Sequence, residues 1–526
     1  MSRPANRLER SAGREAGRLG RWFDNRLGVA HFVDGALNHI FPDNWSFMLG
    51  EVAMYCFIIL VITGSYLTFF FHAGSATVFY HGKYLALHNV PMSEAFRSTL
   101  NISFDVRAGL VMRQIHHWTA DLFAAAIVAH LCRIFFTGAF RRPRELNWMI
   151  GLTMLILVIV NGFAGYSLPD DLLSATGLRI AYSVALSIPV IGTWLASLFF
   201  GGSFPGADTT ERLFIIHVLF IPGLIAALLG AHLAIIWRQK HTQYPGPGRT
   251  ERNVVGSRLW PTYTAKSAGL MAAVFAVAAA LGGLAQINPI WLYGPYRTGA
   301  VSTAAQPDWY MGWLEGALRI FPPWRIHIFD HTIPEVFWPA VVLPTLTFGL
   351  LYLWPFIEAK VTGDHDDHEL LDRPRHRPVR TAIGTGVLAF YVVLFFAGSQ
   401  DIIAQHLELS ITTVDYSFRV LIFVVPIVVA VIAWKWCHDL TAEEDWQAKD
   451  PDRPPPEEMS DEEDQSGRSD GDGPEQESRG DAVPVGSGRH RVRSRIAETF
   501  LALLVGGLER VAERRREKRR AAAGKN

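Results

Sequence analysis

Cysteine is scarce. The chain has three in 526 residues, Cys56, Cys132 and Cys437, and none belongs to a CxxC or CxxCH pattern. That excludes a disulfide framework, a zinc ribbon, a thiolate-held iron–sulfur cluster and a covalently attached haem. Charge is sparse as well, at 19% of residues, while half of the chain is hydrophobic and 16 residues are Trp. A soluble enzyme of this length would expose more charge, so the composition is that of a polytopic membrane protein. The net charge of zero excludes little, because it averages basic loops, an acidic stretch and a basic terminus. No feature addresses nucleic acid. The N-terminal stretch MSRPANRLERSAGREAGRLGRW is basic, with no apolar core and no small-residue cleavage site behind it. It is expected to be a cytoplasmic arm, residues 1–45, rather than a signal peptide.

What is abundant is long apolar runs. Eight are long enough to cross about 30 Å of hydrocarbon, near 46–71, 110–137, 148–168, 212–237, 267–286, 337–357, 380–399 and 416–437. The fold expected is therefore all-α and polytopic, with eight transmembrane helices and short surface helices. Lys and Arg concentrate in alternate loops, at 141–145, 238–258 and 360–380, whereas 72–109, 169–211 and 287–336 are poor in them. By the positive-inside rule both termini are cytoplasmic, and the second and fourth spans both run inward.

Two of the runs carry histidines in pairs: His116 and His130 fourteen residues apart, His217 and His232 fifteen apart. At about 100° per residue each pair shares one helix face, with its members about 21–22 Å apart along the axis. On parallel helices His116 then lies at the depth of His217, and His130 at that of His232. Such stacked pairs can each hold a haem through two imidazoles, so the first four spans are expected to form a di-haem bundle. His117 is thirteen residues from His130, about 140° off the shared face, and is expected not to be a ligand. Gly50 and Gly64, and Gly151 and Gly165, repeat the fourteen-residue interval in the first and third spans. Glycine there lets a flat macrocycle approach the backbone. Arg113 and Arg133 stand three residues beyond the histidines towards either surface, where propionates need cations.

Further along, QPDWYMGWLEGALRIFPPW offers flat aromatic walls with Asp308 and Glu315 as carboxylates able to take a proton. Read from the residues alone, two other functions stay open. One is a two-haem electron conduit for a membrane dehydrogenase, in which this loop has no part. The other is a non-redox transporter or scaffold whose histidines only make hydrogen bonds.

The histidine spacing, the glycine pairs, Gly165-Tyr166-Ser167-Leu168-Pro169 and Pro307-Asp308-Trp309-Tyr310 together resemble cytochrome b of the respiratory bc complexes. The fifteen-residue interval and FFTGAFRRPRE are similar to the b6 branch; the fusion of both halves with a long C-terminal extension is similar to the actinobacterial type. The resemblance covers about residues 40–438. It implies two non-covalent b-type haems, the low-potential one on His116 and His217 and the high-potential one on His130 and His232. It implies a quinol:cytochrome c oxidoreductase of the bacterial cell membrane. Menaquinol would be oxidised with bifurcation at an outer site formed by Tyr166, Pro307, Asp308, Trp309, Tyr310 and Glu315, and quinone reduced at an inner one. The implied partners are a Rieske iron–sulfur subunit, a c-type cytochrome, a second copy of the chain, membrane lipid and a cytochrome c oxidase. The family motif usually has Glu where Asp308 stands. At the inner site a familiar histidine is replaced by Trp237, with Lys240, His241 and Arg249 as candidate substitutes. Met48 stands where photosynthetic members hold a further haem through cysteine, so two haems are expected.

The segment SATGLRIAYSVALSIPVIGTWLASLFFGG, residues 174–202, is amphipathic and interrupted by Pro189 and Gly192, which predicts one or two short surface helices. The domains expected are a four-helix di-haem unit at 46–240, a C-terminal four-helix unit at 241–438, an acidic disordered linker at 439–488 and a basic amphipathic helix at 489–526.

Overall fold

The computed structural model describes residues 29–204, 206–302, 306–328 and 331–449, with Trp22 and 24–26. After a short helix at Val29–Leu37, and apart from single turns such as Ile290–Tyr293, the helices in chain order are α1 (Trp45–Thr68), α2 (Glu94–Phe104), α3 (Gly109–Thr137), α4 (Glu145–Ser167), α5 (Leu172–Ser187), α6 (Gly192–Phe200) and α7 (Thr209–Gln239). They continue as α8 (Leu259–Leu284), α9 (Gly312–Ile320), α10 (Trp338–Thr362), α11 (Pro378–Ala397), α12 (Gln400–Leu407) and α13 (Ile411–Lys449). Among the described residues eight of these, α1, α3, α4, α7, α8, α10, α11 and α13, are long and apolar enough to cross a membrane. They coincide with the eight apolar runs.

Helix α1 packs on α3, α4 on α7, and α8 on α1 and α3. Their shared core includes Cys56, Ile59, Phe123, Ile225 and Ala278. Gly282 allows the close approach of α8, since a Cβ there would lie 2.8 Å from the backbone nitrogen of Ile115. A second cluster, built on Ala317, Leu394, Ala397 and Phe418, joins α9, α11 and α13. Helix α3 ends at Gly138, whose φ of +65° lets its N–H reach back to the carbonyls of Ile134 and Phe135.

Helix α7 is not uniform. Residues Ile216–Phe220 form a π turn around His217, followed by Pro222. Proline lacks the N–H that would continue the α pattern, and a π turn takes up one residue more than an α turn. This explains the unequal intervals: the extra residue between His217 and His232 is absorbed in the turn. A uniform helix, which leaves fifteen steps about 60° past full turns, omits it.

The two ends of the bundle are closed differently. At the His130 end, the segment after α10 is tied to the α3–α4 loop by Arg144–Glu369 at 2.7 Å and Arg141–Asp372 at 3.5 Å. Arg380 on α11 joins Asp372 at 2.8 Å and also pairs with Glu358. At the His116 end, Thr77–Phe79 and Pro91–Ser93 form an antiparallel hairpin over α2, burying Tyr80, Phe96, Leu100 and Ile290. Helix α2 was not expected from the 72–109 loop. The chain breaks between α5 and α6 at Pro189, as expected, and Asp171 caps α5 by accepting from the N–H groups of Leu173 and Ser174.

One boundary is corrected. Residues 439–449, assigned by composition to a disordered linker, continue α13. Thr441 donates to the Arg375 carbonyl at 3.1 Å, and Glu444 pairs with Arg373, Arg375 and His376, so this turn is held by tertiary contacts that composition cannot report. The expected tail helix at 489–526, most of the linker and most of the N-terminal arm lie outside the described residues.

Candidate functional site

Parallel α3 and α7 bring His116 and His217 opposite one another, with ring centroids 6.1 Å apart and planes nearly perpendicular at 79°. Thr63 on α1 donates its one hydroxyl hydrogen to the Ile59 carbonyl at 2.7 Å and so accepts from His116 Nδ1 at 2.9 Å. His217 Nδ1 donates to the Asn161 carbonyl at 2.9 Å. Both rings are thereby fixed with Nδ1 protonated and Nε2 free as a ligand. A metal–imidazole bond of about 2 Å, added to about 1 Å from nitrogen to ring centre, puts two rings about 6 Å apart across one metal ion. The observed separation matches.

The glycines stand where the spacing put them. A Cβ on Gly64 would lie 3.1 Å from the His116 ring, and one on Gly50 3.2 Å from the His130 ring. On Gly165 it would overlap the His217 ring, whereas on Gly151 it would lie 3.9 Å from the His232 ring. Each histidine of α3 therefore faces a glycine of α1, and each of α7 a glycine of α4, at matched depths. His130 Nδ1 is buried with no hydrogen-bond partner. Arg113 gives both terminal nitrogens to the Asn288 carbonyl at 3.1 Å, and Arg133 lies over the Phe47 ring at 4.3 Å. Each has a buried Nε without a partner, and among the described residues neither is in an ion pair. The glycines thus make room for the imidazole rings rather than for a macrocycle directly, while unspent cations and free imidazole nitrogens fit a flat, anionic, iron-bearing macrocycle at each end.

Beside the His116 pair is a cavity of about 150 Å³, lined among others by Tyr166, Pro169, Asp308, Tyr310 and Asn288. Asp308 is held at both oxygens: Oδ1 pairs with His117 Nε2 at 2.9 Å, and Oδ2 accepts from the Tyr310 hydroxyl at 3.1 Å. Burial beside this carboxylate pushes the Tyr310 phenol well above its ordinary value. The bonding atoms of His117, Asp121 and Asp308 all lie within 4.8 Å of one another, and Asp121 Oδ1 is buried without a partner.

Three of the expected loop residues are placed elsewhere. Pro307 and Trp309 do not line the cavity, and Trp309 is 38% exposed. Glu315 is turned away and accepts from Arg319 one helical turn later at 2.7 Å. Its i,i+4 partner on α9 satisfies it locally, although burial still pushes its carboxyl upward. Sequence reasoning missed His117 as a cavity group, Asp121 beside His117 and Asp308, and Gly162, where a Cβ would collide with the Tyr310 hydroxyl. Asp121 is the one acidic residue in its span, which is itself a signal of function.

At the His130 end, Trp237 stacks on His39 with centroids 4.4 Å apart. Phe41 lies between His241 at 4.6 Å and Tyr263 at 4.3 Å. Burial, with His39, Arg133 and Arg144 nearby, pushes the His241 imidazole down to about 4. Of the other two candidates, Arg249 is spent on the Tyr244 carbonyl at 3.2 Å, and Lys240 ends α7 with a φ of +64°.

Fold and site thus define an integral membrane protein whose helix bundle is shaped for paired imidazole ligation. Residues 121–295 match the family model described as cytochrome b (N-terminal)/b6/petB. The chain is 49% identical over 443 residues to the cytochrome bc1 complex cytochrome b subunit of Streptomyces coelicolor, covering 84% of this chain and 81% of that one. It is 52% identical over 418 residues to the subunit of the same name from Mycobacterium tuberculosis, covering 79% and 76%. A solved chain titled as a hyperthermophilic respiratory complex III shares the fold, with a TM-score of 0.60 at 21% identity, over 79% of this chain and 98% of the other. The chain belongs to the cytochrome b family. Membership implies b-type haem.

Proposed function

We propose that the chain is the haem b subunit of a quinol:cytochrome c oxidoreductase of the bc1 type. In this reading menaquinol is oxidised with bifurcation at the His116 end, quinone is reduced at the His130 end, and the cycle builds a proton gradient. Two b-type haems, one held by His116 and His217 and the other by His130 and His232, would supply one-electron carriers across the membrane when bound. The partners are a Rieske iron–sulfur subunit, a c-type cytochrome and a second copy of the chain, with association to a cytochrome c oxidase. The His130 end faces the cytoplasm, because the basic loops Arg141–Arg144, Arg238–Arg258 and Lys360–Arg380 lie there.

The observation that carries the reading is that one cavity is lined by both the His116–His217 pair and the Asp308–Tyr310 loop. An electron conduit for a dehydrogenase has no use for that carboxylate. The apolar walls exclude water and hold the ring of the quinol. Asp308, fixed by His117 and Tyr310, takes the proton of the quinol hydroxyl: the quinol O–H bond breaks as the carboxyl O–H forms. Arg113 supplies the cation at this rim.

Steady-state quinol oxidation by the assembled complex tests the reading, with reduced-minus-oxidised spectra as the control for haem. Asp308→Asn is expected to lower the rate at least about 100-fold and Tyr310→Phe about tenfold. Unchanged oxidation in both variants, with b-type bands intact, would sink the reading in favour of the conduit.

A further inference from the structure

We propose that Glu51 is the acid that delivers a proton to quinone at the His130 end. This rests on the reading above that quinone is reduced there.

Glu51 lies on α1 next to Gly50, whose open face receives the His130 ring. A carboxylate inside an apolar span is costly and is seldom kept without a function. Its surroundings separate it from the structural acids of this protein. Glu315 pairs with Arg319 and Glu358 with Arg380. Glu51, among the described residues, has no cation partner. It is held by three hydroxyls instead: Tyr263 donates to Oε1, while Ser267 at 2.5 Å and Tyr55 at 3.3 Å donate to Oε2. Tyr55 and Ser267 are themselves 2.5 Å apart. Guanidinium groups lock a carboxylate in its charged form, whereas hydroxyls both give and accept hydrogen and can hand protons on by turning.

The cluster has a wet side and a flat side. Lys266, adjacent to Ser267 in the chain, pairs with Asp43 at 2.6 Å, and both are more than 40% exposed. Asp43 also accepts from Ser257 at 2.6 Å, so polar groups continue to the surface. On the flat side Tyr263 leads through Phe41 to His241, beside the His39–Trp237 stack. These rings are of the kind that holds a quinone. His241 is the rival donor, but its described neighbours are aromatic rings, with no hydroxyl to pass it protons from the surface. That leaves the carboxyl on the opposite edge of the aromatic row.

The step balances with what the proposed activity supplies. Quinone takes two electrons, delivered across the membrane in two turnovers, and two protons. One O–H bond forms on a quinone oxygen as the carboxyl O–H of Glu51 breaks, and the carboxylate is reprotonated from cytoplasmic water through Ser267, Tyr55 and Tyr263. The second proton comes from water at the Asp43–Lys266 rim.

The test uses the intact complex in membranes, a soluble menaquinone analogue as oxidant, and the Glu51→Gln and Glu51→Asp variants. Re-oxidation of the chemically reduced inner haem is followed from pH 6 to 9, together with redox-difference infrared spectra. Glu51→Gln is expected to slow re-oxidation at least about tenfold and flatten its pH dependence, and to remove a carboxyl C=O band. Glu51→Asp should recover part of the rate. Wild-type rates across the pH range in Glu51→Gln, with the band retained, overturn the proposal. A wild-type complex that the quinone cannot re-oxidise overturns the inner-site reading and this assignment together. If Glu51→Gln loses haem, Ser267→Ala decides: slower re-oxidation supports the hydroxyl path, and an unchanged rate refutes it.

Discussion

The two ends of the bundle are made from the same parts and finished differently. Each end has one histidine from α3, one from α7, a glycine from α1 and a glycine from α4. At the His116 end both imidazoles are fixed by hydrogen bonds at Nδ1, and a carboxylate held by His117 and Tyr310 shares their cavity. At the His130 end His130 Nδ1 is unpartnered, and the acid nearest the cradle sits among hydroxyls behind a row of aromatic rings. The helical repeat makes two equal cradles. The connecting segments, which obey no repeat, make one end an open acid-lined cavity and the other a stacked aromatic wall.

The largest effect should follow from breaking one cradle and sparing the other. Replacing His217 with Leu should remove one haem of two, leave the bands of the His130 pair, and reduce quinol oxidation more than about 100-fold. Replacing His117 with Asn should retain both haems. Haem quantification with a redox titration checks this, and loss of a haem in the His117 variant would overturn the ligand assignment. A smaller effect should separate the glycines that the sequence treats as equivalent. A Cβ on Gly165 would overlap the His217 ring, while one on Gly151 meets His232 at 3.9 Å, an ordinary contact. Gly165→Ala should therefore lower haem content and oxidation about tenfold, and Gly151→Ala should leave both near wild type. Equal losses in the same haem assay would mean that the ends do not differ in their packing.

The residues that repeat were legible, because a helix turns each interval into a face and a depth. The four histidines, the four glycines and the eight spans needed only the apolar pattern and the periods. What stayed hidden depends on contacts between distant segments. His117 could be rejected as a ligand from its angle, but its bond to Asp308 crosses 191 positions of sequence. Glu315 and Asp308 look alike in the sequence until α9 supplies Arg319 to one and α3 supplies His117 to the other. The π turn at Ile216–Phe220 was not legible: on a uniform helix the fifteen-residue interval still reads as one shared face, and only the structure shows where the extra residue goes. Asp121 and Glu51 are acids within apolar spans, a signal that composition carries and that the haem pattern overshadowed.

The smallest effect should show the two ends titrating in opposite senses. Burial, with Asp171 beside it and the Ser93 hydroxyl opposing, pushes Asp170 at the His116 end up to about 6. An unfolded Asp releases its proton at about 3.9. Between those values the folded chain binds the extra proton, so stability falls as pH rises from about 4 to 6. His241 at the other end is held at about 4, against about 6.5 when unfolded. There the folded chain binds fewer protons, so stability falls as pH drops from about 6.5 to 4. The slopes oppose one another and partly cancel in the parent, each being on the order of 3 kcal/mol across its window. Asp170→Asn should unmask the histidine and make the melting temperature climb more steeply from pH 4 to 6.5. His241→Gln should unmask the carboxyl and make it fall. Thermal melts of the two variants at half-unit pH steps measure this, and parallel slopes would mean that neither group is buried as described.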